Sequence, residues 1–178
     1  MLNKIFGAAL QGIDAIAVEI EVSVDWGTGY VLVGLPDAAV KESFERVKCA
    51  IANVGIKFPH KAVVINMSPA DIKKEGSAYD LPIAIGILAS DEKIGNEKLG
   101  RYMIMGELSL DGSVKPIKGA LPMAILAREM QLDGFILPRY NATEPWHFIP
   151  QVFWRKLACF FCQQMTRPPW RCLFCGIK

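Results

Sequence analysis

Ser77 and Lys118 are two residues whose types could furnish a nucleophile and its base. A serine attacks a carbonyl only when a neighbouring group takes its proton, and a desolvated lysine can do so. The plainer reading has Ser77 turning a polar loop and Lys118 solvated at a helix start. His60 and His147 belong to no Ser or Cys arrangement that suggests a triad, and His60, after Pro59, reads as a loop residue. Cys159-x-x-Cys162 and Cys172-x-x-Cys175, with nine residues between the pairs, have the spacing of a four-cysteine zinc knuckle. No Gly-x-x-x-x-Gly-Lys-Ser/Thr loop occurs to hold phosphates and Mg²⁺. Gly27-x-Gly29 with Gly34 has the wrong spacing for a dinucleotide fingerprint and precedes a strand, so it reads as a hairpin turn.

The elements that must position these residues alternate between strand and helix. Ile16 to Val24 alternates apolar and polar, the period of a half-buried strand. Gly27 and Gly29 turn the chain into a second strand, Tyr30 to Val33. Gly34-Leu35-Pro36-Asp37 opens a helix with Pro36 suited to its first turn. Val40, Phe44, Val47, Ile51 and Val54 form its apolar stripe, and Gly55 ends it. Lys61 to Ser68 is a β-branched strand and Pro69 to Ser77 a polar loop. Asp80 is placed to cap a buried helix through Ala89, with Pro82 in the first turn. Tyr102 to Leu110 is expected as one strand closed by an Asp111-Gly112 hairpin. Gly119 to Met130 is expected as a helix stopped by Gly134, and Phe135 to Pro138 as a short buried strand. Periodicity alone gives mixed α/β.

The 178 residues suffice for one domain able to bury about 70% of its extended surface. The longest uncharged apolar run, Leu81 to Ser90, falls far short of the roughly 20 residues that span a bilayer. Gln11 and Asp14 interrupt the apolar start, which argues against a secretory signal, so a cytoplasmic protein with no membrane contact is expected. All 18 acidic residues lie at or before Glu144, against 15 Lys and Arg there, so residues 1–144 carry a net charge of −3. Residues 145–178 hold five basic residues, no acid, three of the four Trp and four of the five Cys. Whole-chain basicity is therefore poor evidence for nucleic-acid binding. Lys41, Lys48, Lys57, Lys61, Lys73 and Lys74 could contribute to a DNA-facing surface, but no aromatic residues are interleaved with them. Asp71, Lys73, Lys74, Glu75 and Asp80 read as a solvated loop or a surface for a neighbouring subunit or motor domain.

Three segments carry a family resemblance: Val33 to Ser43 (VGLPDAAVKES), Ile65 to Pro82 (INMSPADIKKEGSAYDLP) and Gly106 to Gly112 (GELSLDG). They resemble the N-terminal domain of the YifB/ComM family, magnesium-chelatase-like AAA+ ATPases, over about residues 1–144. That domain is similar to Lon-type Ser-Lys protease domains, which implies an α/β (α+β) fold of the ribosomal-protein-S5 domain 2-like type. Laid on the Lon pattern, the nucleophile's place falls on Ala78 and the lysine's on Leu121, neither able to do the chemistry. The resemblance thus implies a non-catalytic domain with no catalytic, cofactor or metal residue of its own, ATP and Mg belonging to the motor. It also implies motor or sister subunits in a hexameric ring as partners, and DNA processing during natural transformation, with branch migration, as the setting. The Cys/Trp-rich tail, 145–178, begins where the family would continue into the motor. It is expected to be out of frame or disordered, which makes the chain truncated before the motor. The alternatives are an independent binding module with Cys159, Cys162, Cys172 and Cys175 on zinc, or a residual peptidase using Ser77.

Overall fold

The structure, a computed structural model, describes residues 2–143, so the tail and its four cysteines lie outside the described residues. Within them run β1 (Leu2–Gln11), β2 (Asp14–Asp25), β3 (Tyr30–Val33), α1 (Ala38–Asn53), β4 (Ala62–Ser68) and α2 (Asp80–Ser90). Then follow β5 (Tyr102–Ile104), β6 (Glu107–Leu108), β7 (Val114–Lys115), α3 (Ala120–Glu129) and β8 (Gly134–Ile136), with 3₁₀ turns at Ser77–Tyr79, Leu99–Arg101 and Arg139–Thr143. Six strands form one mixed sheet in the order β3-β4-β2-β1-β5-β8, and β6 and β7 form a separate hairpin. The pairs β3/β4, β1/β5 and β5/β8 are parallel, whereas β4/β2 and β2/β1 are antiparallel.

The central hairpin pairs a strand that the sequence announces with one that it hides. In β2, Val18, Ile20, Val22 and Val24 point into the core while Glu19, Glu21 and Ser23 remain half-exposed, so the alternation fixes both face and register. Its partner β1 carries no such signal. Ile5, Gly7, Ala8 and Ala9 are all buried, and the run of small residues Gly7, Ala8 and Ala9 leaves no clean alternation to read. Gly12, at φ 63°, joins the two strands with Ile13 in a two-residue turn.

Helix α1 begins at Asp37, whose Oδ1 accepts the Val40 N–H at 2.8 Å. Pro36 therefore sits before the cap and not in the first turn. Val40, Val47 and Ile51 are buried, and Phe44 stacks on Tyr30 at 3.8 Å and meets Phe58 edge-on at 5.6 Å. Gly55, at φ 82°, ends the helix by donating to Ala52 O at 2.9 Å while Ile56 donates to Ile51 O at 3.1 Å, a Schellman closure.

Helix α2 is buried at every residue. It can lie on the sheet because Gly86 has no side chain: a Cβ there would stand 2.5 Å from Val22 Cγ2. Three sequence expectations fail here for local reasons. The Tyr102–Leu110 strand breaks after Ile104, because the Gly106 N–H donates to Ala78 O (2.8 Å) and Gly106 O accepts from Leu81 N (2.9 Å), which pulls the chain off the sheet into the β6/β7 hairpin. Helix α3 is closed by Gln131, at φ 55°, through the same Schellman bonds, and Gly134 instead starts β8. That strand covers Gly134–Ile136 and not the expected Phe135 to Pro138.

Candidate functional site

The loop between β4 and α2 is pinned to the loop before α1. Pro36 and Lys74 form a parallel bridge, with Asp37 N donating to Lys74 O at 3.0 Å and Lys74 N to Leu35 O at 3.2 Å. Asp37 then serves twice: one oxygen caps α1 and the other accepts the Gly76 N–H at 3.1 Å. Gly76, at φ 83°, turns the chain into the Ser77–Tyr79 coil, and Tyr79 seals it by donating its hydroxyl to Ala8 O at 3.0 Å. A rigid turn of this kind could present a nucleophile.

What it presents is Ala78, half-buried against the core. Ser77 beside it donates its hydroxyl to the Glu107 carboxylate. Lys118 is exposed, with no bond to Ser77, and Leu121, 43% exposed on the first turn of α3, has only a hydrocarbon side chain. The geometry therefore does not unite Ser77 with Lys118. An anionic acceptor orients Ser77 but leaves no amine to receive its proton within the observed bonds.

The charged cluster around this loop is not uniformly solvated. Lys73 and Glu75 pair on the surface at 2.7 Å, but Lys74 and Asp80 are fully buried. Asp80 is the first residue of α2 and not its cap. Its two oxygens receive Arg46 Nε at 2.8 Å and Nη2 at 2.9 Å, and Oδ2 also accepts the Leu108 N–H at 3.2 Å. Burial raises the Asp80 carboxyl above the ordinary range, opposed by Arg46 and by the Leu108 amide. This pair joins α1, α2 and β6 at one point. Arg46 and Glu107 are invisible as partners in the sequence, since no local spacing announces contacts 34 and 30 residues away. An acid heading an otherwise apolar run is the one available signal: a buried carboxylate must be paired.

Lys74 donates its Nζ to Pro69 O, and no carboxylate is bonded to it. Burial lowers its pKa, with Asp71 acting weakly the other way. We expect Lys74→Met to raise stability by about 1–3 kcal/mol near neutral pH, because it keeps the stem and removes the buried ion. The unfolded amine holds its proton more firmly than the folded one, so wild-type stability must rise as pH climbs toward the ordinary lysine value of about 10.4. Urea midpoints should show the gap between the two proteins narrowing over that range. Of the other lysines proposed for DNA, Lys61 is tied to Asp91 at 2.7 Å, and Lys41, Lys48 and Lys57 are exposed. The described residues hold no group of three or more His, Cys, Asp or Glu suited to a metal ion, and no helix among them is long and apolar enough to cross a membrane.

The family model for subunit ChlI of Mg-chelatase matches residues 18–141. The competence protein ComM of Haemophilus influenzae is 40% identical over 144 residues, which is 80% of this chain and 28% of that protein. The uncharacterized protein YifB of Escherichia coli is 42% identical over 124 residues, 69% of this chain and 24% of its own length. Lon protease 2 of Bacillus subtilis is 31% identical over 101 residues, 57% of this chain, consistent with a Lon-like α/β domain. The chain thus spans less than a third of the length of the curated relatives it matches.

Proposed function

The chain belongs to the Mg-chelatase-like YifB/ComM family, and on that premise we propose that it is a Lon-like domain that binds and does not catalyse. The observation that carries this reading is the pair Ala78 and Leu121 at the places of a Ser-Lys dyad, with the adjacent Ser77 hydroxyl given to Glu107. A domain that keeps the rigid turn and loses the reacting groups retains a shaped surface, and such a surface serves assembly. In this reading its partners are an AAA+ motor region and sister subunits, ATP and Mg²⁺ being the motor's requirement. The proposed setting is cytoplasmic DNA processing, and the Haemophilus relative carries the name competence protein.

The purified chain should neither cleave peptides nor react with a fluorophosphonate. Intact-mass analysis after probe treatment checks this directly. A covalent adduct on Ser77 that disappears in Ser77→Ala would replace this reading with a Ser77 peptidase.

A further inference from the structure

On one side the sheet ends in β3, and that edge is unguarded. The Val63 N–H donates to Gly29 O at 3.0 Å, so this carbonyl faces β4, and the alternation of a strand turns the backbone groups of Val31 and Val33 the same way. The N–H and C=O groups of Tyr30 and Leu32 therefore point away from the sheet. No charged residue and no proline lies within Tyr30–Val33 to discourage a further strand. The side chains along this edge are apolar and adjacent by register. Val31 is opposite Val64 of β4, Val33 follows two residues on, and the three are 50%, 44% and 46% exposed. At the other edge of the sheet, Gly134 and Phe135 of β8 are buried.

We propose that β3 pairs antiparallel with β3 of a second copy of this chain, about a two-fold axis at Val31. In that register both outward-facing residues are used: Tyr30 exchanges its bonds with Leu32 of the copy, and Leu32 with Tyr30 of the copy. A second copy fits this edge in charge and in shape. The strand is neutral, so two copies bring no like charges together. Val31 meets its own counterpart, which joins the two Val64–Val31 rows into one apolar strip across both sheets. Val33 falls opposite Gly29 of the copy, where nothing lies within 4 Å of an added carbon. The pairing requires only the strand order and this open edge, and its failure would leave the functional reading above intact.

The full chain with Cys49, Cys159, Cys162, Cys172 and Cys175 all changed to serine is the parent for the test. In it, Val31→Cys should give a disulfide-linked dimer on mild oxidation, because the Cα atoms of a non-hydrogen-bonded antiparallel pair lie about 4.5 Å apart. Val33→Cys should not, since its counterpart would stand about 13 Å away along the strands. Sedimentation velocity at high micromolar concentration should show the parent as a dimer. Val31→Lys sets two ammonium groups face to face and should weaken that dimer at least about tenfold. Leu32→Pro removes an outward N–H and no bond to β4, and should weaken it likewise. Far-ultraviolet circular dichroism and a cooperative urea transition confirm that each variant is folded. A monomeric parent overturns the proposal. So does a dimer that survives both substitutions, or cross-linking through Val33 in place of Val31.

Discussion

Gly34→Ala should cost on the order of 4–5 kcal/mol or prevent folding outright, the largest effect expected of any single methyl group in this chain. A Cβ at residue 34 would stand 2.0 Å from Met67 O and 2.8 Å from Met67 C, both backbone atoms, at a φ of 103°. Met67 cannot yield, since it is paired with Ile20 in the middle of the sheet. Gly29→Ala is the matched comparison: its φ is 132°, yet nothing lies within 4 Å of the added carbon. That variant should lose only the conformational cost, about 1–2 kcal/mol. Urea unfolding of the two proteins separates collision from backbone preference, and equal losses would show that the loop before α1 can move away from Met67.

Arg46→Ala should destabilise by about 3–5 kcal/mol, because it leaves the Asp80 carboxylate buried with only the Leu108 amide to hold it. The sign of its pH dependence distinguishes this cause from lost packing. A carboxyl whose pKa is raised in the folded state stabilises most when protonated, and that contribution disappears as pH rises through the folded pKa. Removing Arg46 raises the folded pKa further. The deficit of the variant should therefore be greatest at neutral pH and shrink as pH falls toward the ordinary carboxylate range near 4. Arg46→Ala/Asp80→Asn, with no charge left to bury, should recover part of the loss. A deficit constant across pH would assign the effect to packing of the Arg46 stem.

These two sites mark the boundary of what is legible in the sequence. The β2 alternation, the α1 stripe and the Asp111-Gly112 turn are readable because each is dictated within a dozen residues. Gly112 does turn the β6/β7 hairpin, at φ 85°, with Asp111 Oδ1 accepting the Ser113 N–H at 2.9 Å. Strand β1 is hidden, because Gly7, Ala8 and Ala9 are small residues buried together and carry no period. The end of α3 is misplaced by the sequence pattern, because Gln131 adopts the conformation usually left to glycine. At the site, Ala78 and Leu121 stand out through likeness to Lon-type domains and not through chemistry, since neither residue has any. The Ser77–Glu107 and Asp80–Arg46 bonds belong to tertiary structure. Lys74 reads as solvated in the sequence because nothing local announces that a lysine will be enclosed.

The strand order also sets a timetable. The hairpin of β1 and β2 closes locally, with ten paired residues and a two-residue turn, and can form as soon as it is made. The other side of β1 waits for β5: Phe6 pairs with Met103, 97 residues later. At about 5–20 residues per second of synthesis, that neighbour arrives roughly 4–16 s after the hairpin is complete. During the interval a finished strand offers an open row of N–H and C=O groups to whatever strand is nearby. The gap between first and last contacts is thus a hazard in time, and a helper that shields nascent chains would act there.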